Sequence, residues 1–72
     1  MTYRPIPGDH ATLTFPDHLY PEDGAQGRRF LTGTEVVVVG VDGIWVDVRH
    51  TDADGRGWIG TKPFKALDYG RD

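Results

Sequence analysis

The chain has 72 residues, with eleven acids against eight bases for a formal net charge of −3, ten glycines, five prolines and no cysteine. That length allows one domain, near the lower limit for a single core, and the missing cysteines exclude disulfide staples and thiolate metal sites. The acidic balance argues against nucleic acid as the main partner, because a phosphate binder needs a basic excess to release counterions. No apolar run approaches the roughly 18 residues of a membrane-spanning helix. The opening MTYRPIPGDH also lacks the basic-then-apolar pattern of a secretory signal. A cytoplasmic chain with no membrane partner is the expectation.

Glycine and proline punctuate β-rich runs here, which predicts an all-β domain with tight turns. Residues 1–9, with Pro5, Pro7 and Gly8, predict an extended N-terminal arm whose Arg4-Pro5-Ile6-Pro7 stretch is a candidate to lie in its own or a neighbour's groove. A first strand is expected over His10–Phe15, where Ala11, Leu13 and Phe15 alternate with threonines until Pro16 stops the ladder. Residues 16–33, with two prolines and three glycines, predict a long loop whose return is pinned by Phe30 and Leu31.

Thr34–Val41 is the strongest strand signal, since four consecutive β-branched valines favour a sheet over a helix. Asp42-Gly43 marks a hairpin and Ile44–His50 its returning strand. Alternation places Ile44, Val46 and Val48 on the core face and Trp45, Asp47 and Arg49 on the other. TDADGRG supplies a second turn, Trp58–Thr61 a short strand, and Pro63 a single 3₁₀ turn. Ala66–Tyr69 then closes the sheet, and residues 70–72 form a tail.

The ordered set Gly33-Thr34-Glu35, Trp45 with Val48, Gly57-Trp58-Ile59 and the 3₁₀ segment Thr61–Leu67 resembles the SH3-like barrel family, including its bacterial SH3 (SH3b) variants. The resemblance is close over about 35 residues and extends to the first 32 by layout alone. It implies a small five-stranded SH3-like barrel over residues 10–69, with the loop 16–33 in the place of the family's RT loop. Departures from the pattern bear on function. SH3 domains that grip proline-rich peptides pair the strand-head Trp with a Pro and a Tyr near the 3₁₀ turn and add two tyrosines from the first strand; the matching positions here hold Gly60, Pro63, Leu13 and Phe15. Ordinary polyproline recognition is therefore not expected.

Trp45 admits two readings: an indole lying flat over its own sheet, or an anchor in a binding patch. Two outward valines, Val37 and Val39, extend the apolar area around it and favour the patch. Its expected rim is the acidic loop, Asp17, Tyr20, Glu22 and Asp23, together with Pro63. Trp58 reads as structural, packed under a loop. His10, His18 and His50 match no metal-ligand spacing and read as solvated. Asp42, Asp52 and Asp54 beside glycines read as turn residues. Arg28-Arg29 and Arg49 with Arg56 read as solvated charges offset by nearby acids.

With no cysteine, no serine and no defensible His–carboxylate pair, neither catalysis nor a cofactor is expected. The expectation is a non-enzymatic protein-interaction module, an accessory subunit or small regulator. An Asp/Gly/Arg-rich, Lys-poor composition fits a bacterial or phage source. The rival readings are a bacterial SH3 module binding cell-wall peptidoglycan and a Tudor- or KOW-like nucleic-acid binder. Homodimerisation through the outer face is a further possibility.

Overall fold

The computed structural model describes residues 4–70, so the ends of the expected arm and tail lie outside the described residues. Seven strands form one antiparallel sheet: β1 His10–Leu13, β2 Asp17–Pro21, β3 Arg28–Phe30, β4 Glu35–Asp42, β5 Trp45–Thr51, β6 Gly57–Pro63 and β7 Leu67–Asp68. Their spatial order is β3-β2-β6-β5-β4-β1-β7, and a 3₁₀ turn at Phe64–Ala66 joins β6 to β7. The sheet curls into a half-barrel around the apolar side chains that every strand contributes. Ala11, Leu13, Leu19, Phe30, Val36, Val38, Val46, Val48, Trp58 and Leu67 are all buried there. None of the described helical segments is long and apolar enough to cross a membrane.

The strand number is seven, not the expected five. Residues 16–33 are not an irregular loop but contain the hairpin β2–β3, which joins the sheet through Tyr20↔Ile59 and Pro21↔Trp58. Pro21 is tolerated because it ends its strand, where a missing donor disrupts no further ladder. Leu19, fully buried, crosses over Gly60, where an added Cβ would meet its Cδ2 at 2.6 Å. The glycine at that position makes room for the hairpin to dock.

The first strand ends at Leu13, and Phe15 is exposed rather than in the core. The cause is the two-residue length of β7: Leu13 pairs with Leu67 as the last register pair. The chain then bends while Thr14 donates its hydroxyl to the Ala66 carbonyl at 2.7 Å.

The arm is not extended throughout. Ile6 to Asp9 close a turn through Asp9 N–H to the Ile6 carbonyl (3.1 Å), with Pro7 at its second position and Gly8 at φ +97° at its third. Its last two residues, Gly8 and Asp9, exchange backbone hydrogen bonds with Val38 at 2.7 and 2.8 Å.

In the β4–β5 hairpin Asp42 faces Trp45, so Gly43 and Ile44 are the turn residues. Gly43 takes φ +62°, a conformation only the first central residue of such a turn requires here. Ile44 is consequently in the turn and 58% exposed, not in the core with Val46 and Val48. It lines a cavity of about 340 Å³ with Arg4, Pro5, Val41 and Phe64, so the arm lies against its own hairpin.

Trp58 lies inside, 3% exposed. Its indole N–H donates to Asp52 Oδ2 at 2.9 Å, while Asp52 Oδ1 accepts the backbone N–H groups of Asp54 and Arg56. These donors, the indole foremost, hold the Asp52 carboxyl below its ordinary value. The guanidinium groups of Arg28 and Arg56 lie 4.6 and 4.9 Å from the indole centroid, and the Phe30 ring meets it edge-on at 5.1 Å.

Candidate functional site

Directly opposed residues of an antiparallel pair share a face, so the register defines the outer surface row by row. One row is Asp42–Trp45–Pro63 across β4, β5 and β6. The next is Gly40–Asp47–Thr61, in which the Thr61 hydroxyl donates to Asp47 Oδ1 at 2.7 Å. The third is Val37–Arg49–Ile59–Tyr20, reaching β2.

A β-bulge separates the Val38↔Val48 and Gly40↔Asp47 pairs, which leaves Val39 as the extra residue. Val39 is 52% exposed between the second and third rows. Trp45 is therefore not beside Val37 and Val39, as simple alternation suggests. It stands one polar row away, half-exposed at the hairpin end and paired with exposed Pro63. Val37 lies opposite Arg49 and is only partly exposed.

The apolar side chains that do converge are Val39, Ile59 and Tyr20. With His18, Asp47 and Thr61 they line a groove of about 550 Å³. The Tyr20 ring is positioned by Gly27, where an added Cβ would approach its Cε1 to 2.5 Å. Sequence reasoning missed Ile59. The signal was present: once Trp58 is assigned to the core, period-two alternation turns Ile59 outward.

The three acids of the expected rim are ion-paired within the fold. Asp17 pairs with Lys62 at 2.9 Å, Glu22 with Arg49 Nε at 2.5 Å, and Asp23 with Arg56 at 3.2 Å. The three carboxylates thus tie β2 and its following turn to β6, to β5 and to the β5–β6 turn. The Glu22–Arg49 pair crosses Gly57, where any Cβ would collide with both partners.

Lys62 is the buried charged residue among those described, 7% exposed on the inner face opposite Val46. Its ammonium also donates to the His18 carbonyl at 2.8 Å, so the charge is both paired and hydrogen-bonded. Burial pushes the Asp17 carboxyl up, but the hydrogen bonds from Lys62 and the His18 N–H outweigh it and leave the group below its ordinary value. Asp23 is likewise lowered, first by the Ala25 N–H and then by Arg56.

Two outer-face carboxylates, Asp42 and Asp47, have no basic partner among the described residues. The result is an open face with the indole–proline pair and Asp42 at one end, an aliphatic–tyrosine groove at the other and Asp47 in the row between them. Such a surface can desolvate apolar groups and attract cations. Comparison of the chain with family models, with curated proteins and with solved structures gives no match.

Proposed function

We propose that this chain is a non-enzymatic protein-binding module built on an SH3-like barrel, and that it meets its partner through the outer face of β4, β5, β6 and β2. The observation that carries the reading is the groove bordered by Val39, Ile59 and Tyr20, three side chains 43–55% exposed on a single sheet face. A monomer gains nothing by leaving such a patch in water. What supports the barrel reading is the curled antiparallel sheet, the β4–β5–β6 meander and the single 3₁₀ turn before a short last strand; the β2–β3 hairpin and the count of seven strands depart from what the resemblance implies.

Binding works by desolvation of this groove and of the Trp45–Pro63 pair. We take the module to be a cytoplasmic accessory subunit or regulator of bacterial or phage origin. Of the clustered arginines that a nucleic-acid reading would use, Arg49 and Arg56 are in ion pairs and Arg28 stacks over Phe30 and Trp58.

The test is affinity capture from the source cell with wild type, Ile59→Asp and Trp45→Ala as parallel baits, followed by mass spectrometry. A protein retained by wild type and lost by Ile59→Asp supports the proposal. The Trp45→Ala bait should bind it about 2 kcal/mol more weakly if the indole is an anchor. Retention of peptidoglycan fragments, or of nucleic acid with a steep salt dependence, would overturn it in favour of a cell-wall or nucleic-acid module.

A further inference from the structure

Resting on that reading, we infer that the partner presents an extended segment with a basic residue flanked, two positions away on each side, by apolar residues, and that Asp47 receives the basic residue. Same-face residues along β5 recur about every 7 Å, the spacing of alternate residues in any extended chain. Trp45, Asp47 and Arg49 mark three successive rows, and an extended segment lying along β5 presents its side chains i, i+2 and i+4 to them in turn.

The first row offers Trp45 with Pro63, an apolar platform. The second offers Asp47, whose carboxylate is exposed, steadied by Thr61 and unneutralised by any described base. The third offers Ile59 and Tyr20, with Val39 beside them. Arg49 does not repel a cation there, because Glu22 takes its Nε and Thr51 accepts from its Nη1 at 2.9 Å. Asp42, at the end of the first row, adds a second free negative charge. The apolar–acidic–apolar order is complementary to apolar–basic–apolar and repels the acidic analogue.

Random dodecapeptides displayed on phage and selected on the full chain test this. Enrichment of an apolar-x-Lys/Arg-x-apolar consensus, with loss of the enriched phage from Ile59→Asp, supports the inference. An apolar consensus without the basic residue overturns it and leaves the protein-binding reading standing. Absence of any enrichment that Ile59→Asp abolishes overturns both. Self-association in sedimentation that Ile59→Asp removes would assign the face to a second copy and overturn the inference.

For a synthetic peptide of the enriched sequence, Asp47→Asn should weaken binding about fivefold and flatten its salt dependence. The amide keeps an acceptor for Thr61, so an unchanged amide NMR spectrum separates lost charge from lost structure. Asp54→Asn, in the β5–β6 turn, should leave affinity unchanged. Equal affinity of wild type and Asp47→Asn would refute the assignment.

Discussion

β5 meets β6 through seven consecutive register pairs, from Trp45↔Pro63 to Thr51↔Gly57, whereas β2 meets β6 through two, Tyr20↔Ile59 and Pro21↔Trp58. The meander β4–β5–β6 is joined by a long backbone ladder, and its valines supply core packing on the inner side. The β2–β3 hairpin has a short ladder and is placed by side chains: Leu19 over Gly60, Lys62 on Asp17, Glu22 on Arg49, Asp23 on Arg56. The contrast teaches that one sheet can contain a region specified by local strand propensity and another specified by a few long-range contacts. Segments of the second kind open first in native-state exchange.

Substitutions can break or sharpen this contrast. Leu19→Ala should have the largest effect, about 2–4 kcal/mol, since it removes the fully buried residue joining the hairpin to the core. Hydrogen exchange should then rise in β2 and β3 well before β4–β6. Uniform loss of protection would show that the two regions unfold as one. Val48→Ala or Val38→Ala should destabilise by roughly 1–3 kcal/mol and lower the melting temperature of the whole domain. An unchanged melting temperature would mean that the inner and outer faces have been exchanged.

Acid should act mainly on the hairpin. The folded Asp17 carboxyl lies below its unfolded value of 3.8, so its stabilisation is complete above that pH and declines as pH falls through the lowered folded value. Asp17→Asn should lower hairpin protection at neutral pH and flatten its further decline on acidification. A decline as steep as in the wild type would assign the acid sensitivity to other groups, such as Asp52. The smallest effect is expected for Trp45→Ala, within about 0.5 kcal/mol of wild-type stability by chemical denaturation. Trp45 is 49% exposed, so a larger loss would make it structural and weaken the binding-face proposal.

Much of the meander was legible in advance. The valine run, the glycine turns and the alternation around Val46 and Val48 are patterns among near neighbours, and the structure places those strands within a few residues of expectation. Trp58 as a structural residue was legible for the same reason. The hairpin at residues 17–30 was not, because its prolines, glycines and charges read locally as loop. What makes it sheet is the space over Gly60 and the charge of Lys62, both more than 40 residues from their partners in β2.

The candidate site divides in the same way. That Val39 and Trp45 point outward follows from alternation. That an extra residue at the Val38/Gly40 step places Val39 beside Ile59 and Tyr20, and leaves Trp45 a row away, depends on the bulge and on strand order. The three loop acids named as a recognition rim could not be seen as ion-paired without knowing which cations the fold brings to them.

Taken alone, the order of amino acids determined an all-β chain, its principal turns and the identity of most core residues. Strand propensity, period-two alternation and glycine conformations act over two to eight residues, within reach of a local reading. Only the tertiary structure decided how many strands there are, which carboxylates remain free and where the exposed apolar groups meet. Those outcomes depend on sheet order and on side chains crossing glycines distant in sequence, and no local pattern encodes them.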